Sequence, residues 1–209
     1  MGFSGFADEA FEFYEGLSAD NTKAYWTAHK ETYEQHVRAP MIALFEELEP
    51  EFGPAKMFRP YRDVRFSKDK SPYKTQQGAH TSEGFYCAID ADGLMVAAGM
   101  YGPSPDQLRR FRTAVDADGP GKALEAIVEE LRAGGYQIAG DRLKSRPRGV
   151  ADDHPRLDLL RHRSLYAHVG WPPDPWMQTP ELVTRVRDAW RGLRPLVDWE
   201  NEHVGQPNS

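Results

Sequence analysis

The sequence predicts an α+β protein that forms a single domain over residues 1–209, with a central, mostly antiparallel sheet packed by N-terminal and C-terminal helices. Two observations lead to this class. Apolar residues recur every three or four positions towards both ends of the chain, which is the helical period. Between these regions, the stretch GFYCAIDADGLMVAAGMYG contains two apolar runs around Asp92-Gly93, which predicts a β-hairpin. Helices that flank a hairpin-bearing region favour the α+β class.

Length and composition are those of an ordinary soluble domain. The chain has 209 residues, of which 40% are hydrophobic and 28% charged. It has one cysteine, no apolar run near the ~20 residues that a membrane span needs, and an acidic N-terminus unlike a signal peptide. These features predict a cytoplasmic protein without a membrane partner. The last residues, HVGQPNS, are expected to fray.

The N-terminal third is predicted to be helical. Residues 7–18 form the first helix, with a buried face that contains Phe11, Tyr14 and Leu17. Asn21 is expected to cap a second helix, and Pro40 either interrupts it or opens a third. The buried stripe of the second helix would contain Trp26, His29, Tyr33 and Val37.

The elements after the hairpin follow from local signals. Ser104, Pro105 and Gln107 have the spacing of a capping box that opens a helix. Another helix is predicted over 121–133, and a final one begins at Thr179-Pro180-Glu181. Short strands are predicted at Tyr136–Ala139 and Leu165–Val169.

Several common kinds of site are missing from the sequence. It contains no GxSxG nucleophile motif, and its histidines form no HxH or HExxH metal-binding pattern. Cys87 lies on a predicted strand face and is interpreted as a small apolar core residue. No metal or cofactor is therefore predicted, and the catalytic residues of any reaction are unknown.

The most unusual stretch is RPYRDVRFSKDKSPYK, residues 59–74, which we call the basic segment. The region from Lys56 to Gln76 has seven basic and two acidic residues, although the whole chain has a formal net charge of -6. If residues 59–66 form a strand, Arg59 and Arg65 share one face and Arg62 lies on the other. If they turn helically, the three guanidinium groups align. In both cases the guanidinium fork matches a phosphate or carboxylate.

The leading hypothesis is that this segment binds an anionic small molecule that carries a phosphate or carboxylate group, such as a nucleotide. Asp63 would orient the arginines, and Tyr73 would donate a hydrogen bond or stack. A second basic block, Arg142–Arg163, would supply two further cations. The predicted site comprises Arg59, Arg62, Asp63, Arg65, Lys68, Lys70, Tyr73, Lys74, Lys144 and Arg148.

Two other interpretations remain open. The first is RNA or single-stranded DNA binding, with Tyr61, Phe66 and Tyr73 as stacking platforms, although the net acidity argues against it. The second is structural, a charged hairpin held by Arg–Asp pairs or by pairing with acids between 8 and 15 or 46 and 51. The sequence does not decide whether the protein is an enzyme. The nearby acid–base candidates are Asp63, Asp69 and Tyr73.

The chain resembles a bacterial family called domain of unknown function 2461. The resemblance is carried by RxxRDxRFSKDKxPYK at Arg59–Lys74, by GFYCAID with GLMVAAGMYGP, and by LKxxPRGxxxDHP before LLRxRS. It covers nearly the whole chain and implies a soluble single-domain protein with the basic segment as its site, but it supplies no reaction. Two positions depart from the family pattern: Arg146 stands where proline is expected, and Val150 where an aromatic residue is expected.

Overall fold

The computed structural model of the chain describes residues 2–65 and 68–205, and these residues form two compact units. The first unit comprises the chain up to Val96 together with Gly170–Ala189. The second comprises Ala97–Val169 and the chain from Trp190 onward. The predicted fraying of residues 206–209 lies outside the described residues, whereas Val204 is buried.

Helices account for most of the regular structure in the described part of the chain. Their bounds are α1 Asp8–Ala19, α2 Lys23–Thr32, α3 Ala39–Phe52, α4 Pro105–Asp116, α5 Asp118–Ala133, α6 Leu157–Leu160 and α7 Glu181–His203. A π-helical turn, Tyr33–Arg38, joins α2 to α3, and a 3-10 turn, Pro175–Gln178, precedes α7.

The described strands form one six-stranded antiparallel sheet in the order β1-β2-β3-β4-β6-β5. Their bounds are β1 Ala55–Met57, β2 Gln76–Thr81, β3 Phe85–Asp90, β4 Gly93–Met100, β5 Gln137–Ala139 and β6 Leu165–Trp171. The α+β class is therefore confirmed, and so is the predicted hairpin, because β3 and β4 are neighbours joined through Ala91-Asp92. Gly93 has φ +120°, and a Cβ there would lie 2.1 Å from the carbonyl oxygen of Trp171.

The predicted buried face of β3 is confirmed. Phe85, Cys87 and Ile89 are completely inaccessible to solvent, and α1 packs against β3 through the apolar face that its sequence period predicts. Burial raises the pKa of the Cys87 thiol well above its usual range, so this cysteine is a core residue and remains protonated.

Pro40 does not interrupt the second helix; it stands in the first turn of α3 and so opens the third helix, the other alternative that the sequence left open. The chain remains helical from α2 into α3 because the π turn lies directly before the proline. There the N–H of Ala39 donates to the carbonyl of Glu34, five residues earlier. A proline ring in a regular α-helix presses on the carbonyl four residues before it, and the wider turn relieves this crowding.

In the second unit, α4 packs against both α5 and α6. Its N-terminus has the predicted capping box: Ser104 Oγ accepts from the N–H of Gln107 at 3.2 Å, and Gln107 Oε1 accepts from the N–H of Ser104 at 3.0 Å. The amide of Gln107 also donates to the carbonyl of Gly205 at 2.9 Å, which ties the start of α4 to the end of α7.

Ser104→Ala is expected to lower the free energy of unfolding by about 1 kcal/mol, because the N–H of Gln107 at the start of α4 loses its side-chain acceptor. Urea denaturation of both proteins would measure the difference. Ser104→Asp retains an acceptor at the cap and should keep most of the wild-type stability; equal losses in the two variants would contradict a capping role.

Candidate anion-binding site

The ends of the basic segment form a narrow antiparallel ladder, and its middle is irregular. Tyr61 and Tyr73 form an isolated bridge, the N–H of Arg62 donates to Pro72 O at 2.9 Å, and the N–H of Lys74 donates to Pro60 O at 2.8 Å. Neither the regular strand nor the helical turn considered from the sequence is present in 59–65. Phe66, a predicted stacking platform, lies outside the described residues, as does Ser67.

The segment is anchored to α2 through Tyr73. The ring of Tyr73 is 5% exposed and stacks on Trp26, with the centroids 4.5 Å apart and the planes 8° apart. The side chain of Asn21 makes two hydrogen bonds with the backbone of Tyr73, one to its carbonyl and one from its N–H, each 3.1 Å long. These contacts hold one arm of the segment against the start of α2.

The anchor corrects two sequence predictions. Asn21 does not cap α2, because its amide is used by Tyr73; Thr22 is the cap, and its Oγ1 accepts from the N–H of Tyr25 at 3.2 Å. The predicted role of Tyr73 as a stacking platform for a ligand is also wrong, because Trp26 and Tyr61 surround its buried ring. Burial, with Tyr61 close by, raises the pKa of Tyr73.

A buried hydrogen-bond chain positions the residue just before the segment. Tyr33, in the π turn, donates to Gln77 Oε1 at 2.7 Å, and Gln77 Nε2 donates to the carbonyls of Phe58 and Gly78 at 2.9 Å each. Burial first, and then the charge of Glu34, raise the pKa of Tyr33 to about 12, so it remains a donor. The chain thereby fixes the backbone from which Phe58 projects, with 37% of that residue exposed.

Two of the three arginines are held by carboxylates of the segment itself. Arg65 donates through Nε and Nη2 to the two oxygens of Asp63, at 2.9 and 2.7 Å, and Arg62 pairs with Asp69. Asp69 also accepts from the N–H and hydroxyl of Ser71. The hydrogen bonds from Arg65 lower the pKa of Asp63, and those from Ser71, with a smaller contribution from Arg62, lower that of Asp69.

These pairs match the charged-hairpin interpretation for Arg62 and Arg65 and show that Asp63 does orient an arginine. Two of the more distant acids considered from the sequence have other contacts. Glu47 accepts from the N–H of Phe3 at 3.3 Å, and Glu51 pairs with Arg187 at 3.7 Å.

The remaining cations of the segment differ from these arginines. Within residues 2–65 and 68–205, no carboxylate pairs with Arg59, Lys68 or Lys74, while Lys70 donates to the carbonyl of Val64 at 3.0 Å. Lys74 Nζ lies 4.9 Å from the ring centroid of Phe58. Partial burial, followed by the positive charge of Arg59, lowers the pKa of Lys74, so these two cations are close enough to repel one another.

Exposed aromatic rings accompany the two cations. Tyr61 is 49% exposed and Phe58 is 37% exposed, and both flank Arg59 and Pro60 in sequence. Sequence reasoning identified Tyr61 but missed Phe58, which precedes the arginine motif. The sequence signal that could have identified Phe58 is its position between β1 and Arg59. A bulky apolar residue directly beside a basic run has no apolar partner within that run.

Lys144 and Arg148 lie in the second unit, on an exposed loop, and neither has an ion-pair partner among the described residues. Their predicted convergence on the basic segment stays a prediction. In the same loop, Arg146 Nη1 donates to Val150 O at 2.6 Å and Arg146 Nε pairs with Asp152 at 2.6 Å. The two positions that depart from the family pattern are thus in contact with one another.

Two other kinds of feature are absent from the described residues. No group of three or more His, Cys, Asp or Glu side chains within them could hold a metal ion. None of their helices is both long and apolar enough to cross a membrane.

The fold and the site define an α+β protein with a cationic and aromatic surface segment anchored on an N-terminal helix. The chain belongs to the family described as "Conserved hypothetical protein (DUF2461)", whose model matches residues 9–199. No curated protein and no solved structure matches the chain.

Asn21→Ala is expected to lower the free energy of unfolding by about 1–3 kcal/mol, because it leaves the N–H and carbonyl of Tyr73 without their partners. It should also expose the basic segment to trypsin, which cuts after its lysines and arginines. Thr22→Ala, which removes only the helix cap, is the matched control. Equal cleavage rates within residues 62–70 in the two variants would show that Asn21 is not the anchor.

Ser71→Ala is expected to raise the pKa of Asp69 towards the ordinary aspartate value while leaving Asp63 unchanged, because the hydroxyl of Ser71 is the largest cause of the lowered pKa, while its N–H still donates to Asp69. In the wild type both carboxylates stabilise the fold above the unfolded pKa of about 3.9, and this contribution is lost as the pH falls through their lower folded values. Carboxyl ¹³C NMR titration would measure both groups. An unchanged Asp69 midpoint would contradict the assigned hydrogen bonds.

Proposed function

We propose that the protein binds an anionic small molecule, carrying a phosphate or carboxylate group, on the surface formed by Arg59, Lys74, Phe58 and Tyr61. The observation that carries the proposal is the pair Arg59 and Lys74: two neighbouring cations without a carboxylate partner in the described part of the chain, beside two exposed aromatic rings. The other predicted cations of the segment would shape this surface or attract an anion to it, rather than hold the anion.

The internal ion pairs support this assignment by giving the segment a defined shape. Arg62 links the two arms through Asp69, and Arg65 closes on Asp63 near the tip. Their guanidinium groups are therefore already neutralised in part. Arg59 lies next to the ladder, where its backbone position is set by the pairing of Pro60 with Lys74. Lys68 is exposed at the far end and would attract an anion rather than hold it.

Electrostatics favour an occupant with negative charge. Burial first, and then the charge of Arg59, lower the pKa of Lys74, and an oxyanion between the two cations would oppose this lowering by forming charge-assisted hydrogen bonds with both. Arg59 offers a planar fork of donors, and Lys74 a compact point charge; together they suit a phosphate or carboxylate group.

The aromatic rings favour a ligand with a flat apolar part. The Nζ of Lys74 lies 4.9 Å from the ring centroid of Phe58 and leaves this residue partly exposed, and about half of Tyr61 is in solvent. A nucleotide combines both chemistries, because its base can stack on a ring while its phosphate meets the cations. We propose no reaction, because Asp63 and Asp69 are engaged in ion pairs and Tyr73 is buried.

The exposed rings also favour a second candidate function, binding of RNA or single-stranded DNA. Phe58 and Tyr61 beside Arg59 and Lys74 resemble the alternation of stacking and phosphate contacts that single strands use. The overall charge of -6 restricts such binding to a small footprint. This candidate differs from the first in requiring several phosphates, and hence a steep loss of affinity with salt.

Calorimetric titration with a panel of nucleotides and sugar phosphates tests the proposal. Arg59→Met and Lys74→Met should each weaken binding about tenfold or more, because each removes a charged hydrogen bond worth about 1.5–3 kcal/mol. Arg38→Met, which removes a surface arginine paired with Glu34, is the matched control and should bind like the wild type.

A short single-stranded RNA, titrated at two salt concentrations, separates the two candidates. Binding of RNA alone, with a steep salt dependence, would replace the small-molecule proposal by the nucleic-acid one. Negligible heats for the wild type with every ligand, or equal affinities in Arg59→Met and the wild type, would reject the surface as an anion site.

A further inference from the structure

One face of the strands β2 and β3 carries aromatic side chains that do not belong to the core. His80 on β2 pairs with Tyr86 on β3 in the register of the sheet, so both side chains project from the same face. Both are half-buried, whereas Ala79, Phe85 and Cys87, which project from the opposite face, are completely inaccessible to solvent. These strands therefore pack on the core through one face and reach solvent through the other.

Phe58 extends this solvent-facing surface within the first unit. Its N–H donates to the carbonyl of Gly78 at 2.9 Å, which continues the pairing of β1 with β2 by one residue. The ring centroid of Phe58 lies 5.4 Å from that of His80 and 6.1 Å from that of Tyr86. We call these three neighbouring rings the aromatic platform.

The ring of Tyr86 is held in place by two neighbours on β2. A Cβ at Gly78 would lie 2.4 Å from Tyr86 Oη and 2.9 Å from two of its ring carbons, so the ring lies against the bare backbone of Gly78. Gln76 Nε2 donates to Tyr86 Oη at 2.9 Å and fixes the far end of the side chain. A ring that is fixed before a ligand arrives loses little conformational freedom on binding.

Cations border the platform on the side of Phe58. Arg59 follows Phe58 in the chain, and the Nζ of Lys74 lies 4.9 Å from the Phe58 ring centroid. Lys56 is exposed and lies opposite His80 in the register of β1 and β2, on the same face of the sheet. A ligand with a negative charge close to a flat ring matches this arrangement, because its ring can stack on the platform while the cations attract its anionic group.

We propose that the aromatic platform binds the nucleobase of a nucleotide whose phosphate lies between Arg59 and Lys74. This inference rests on the proposed function, since it names the class of anion and assigns its base to the sheet face. The three rings form one connected surface, which suits a single base. A nucleic-acid strand requires successive stacking surfaces for successive bases, so a mononucleotide is the occupant that the platform favours.

Calorimetric titration with adenosine 5′-monophosphate and with ribose 5-phosphate tests the base site, because the two ligands differ in the base alone. The nucleotide should bind the wild type about tenfold tighter, as expected for one stacked base. Phe58→Leu and His80→Leu keep an apolar side chain but remove a ring, and each should reduce this ratio to about threefold or less. Tyr101→Leu, which replaces an aromatic residue that is 84% exposed in the second unit, is the control and should keep the full ratio.

Adenosine, which has no phosphate, provides a readout on the wild type that does not depend on the variants. It should shift the aromatic NMR signals of Phe58, His80 and Tyr86, and it should do so in Arg59→Met as well. Equal affinities of the wild type for the nucleotide and ribose 5-phosphate would overturn the base site and leave the anion site standing. Ring shifts with adenosine, together with equal nucleotide affinities in Arg59→Met and the wild type, would reject the anion site and keep the base site.

Two further outcomes would also overturn the single-base assignment. An adenosine tetranucleotide that binds more than about tenfold tighter than the mononucleotide would assign the platform to a nucleic-acid strand, because further stacking surfaces would then contribute. Absence of binding by all of these probes, with unshifted ring signals in adenosine, would reject the platform and the anion site together.

Discussion

The basic segment depends on the docking of Tyr73 against Trp26 and Asn21. Its two arms share few backbone hydrogen bonds, and its ion pairs lie largely in solvent, where each contributes little to stability. The stack of Tyr73 on Trp26 and the two hydrogen bonds between Asn21 and the backbone of Tyr73 supply the buried contacts that a strongly charged loop otherwise lacks. The start of α2 is therefore as much a part of the candidate site as the arginines are.

A second constraint reaches the site from the π turn. Gln77 is buried, and its amide is fully used between Tyr33 and the carbonyls on either side of it, so the strand β2 cannot shift without leaving polar groups unpaired. Because one of those carbonyls belongs to Phe58, the same chain of hydrogen bonds fixes the backbone from which the exposed Phe58 ring projects. A departure from regular α-helix thus has a packing consequence beyond accommodating Pro40, which fits the frequent occurrence of π turns beside functional sites.

Local features of this chain could be predicted from the sequence, and long-range ones could not. The capping box at Ser104, the hairpin at Asp92-Gly93 and the buried face of β3 each follow from residues within a few positions of one another. The prediction that Asn21 caps α2 was wrong because Asn21 and Thr22 are both good capping residues. Only a contact with Tyr73, 52 residues away, removes Asn21 from that role. The burial of Tyr73 depends on the same contact.

The predicted site stays a prediction, and the structure adds a division of roles among its residues. The sequence shows that three arginines, three lysines and two aspartates are close together, but which guanidinium pairs with which carboxylate depends on the path of an irregular backbone. Periodicity arguments assume a strand or a helix, and the segment is neither.

The composition of the chain makes the unpaired cations informative. With 32 acidic and 26 basic residues, carboxylates are in excess. Most arginines of the described segments pair with a carboxylate or donate to a backbone carbonyl. Arg59 and Lys74 are close enough to repel one another, and no carboxylate within residues 2–65 and 68–205 pairs with either. Like charges held close together lower stability, and an anion that binds between them would offset this cost. This is the physical reason for proposing that the carboxylate or phosphate of the surface around Arg59 and Lys74 comes from outside the chain.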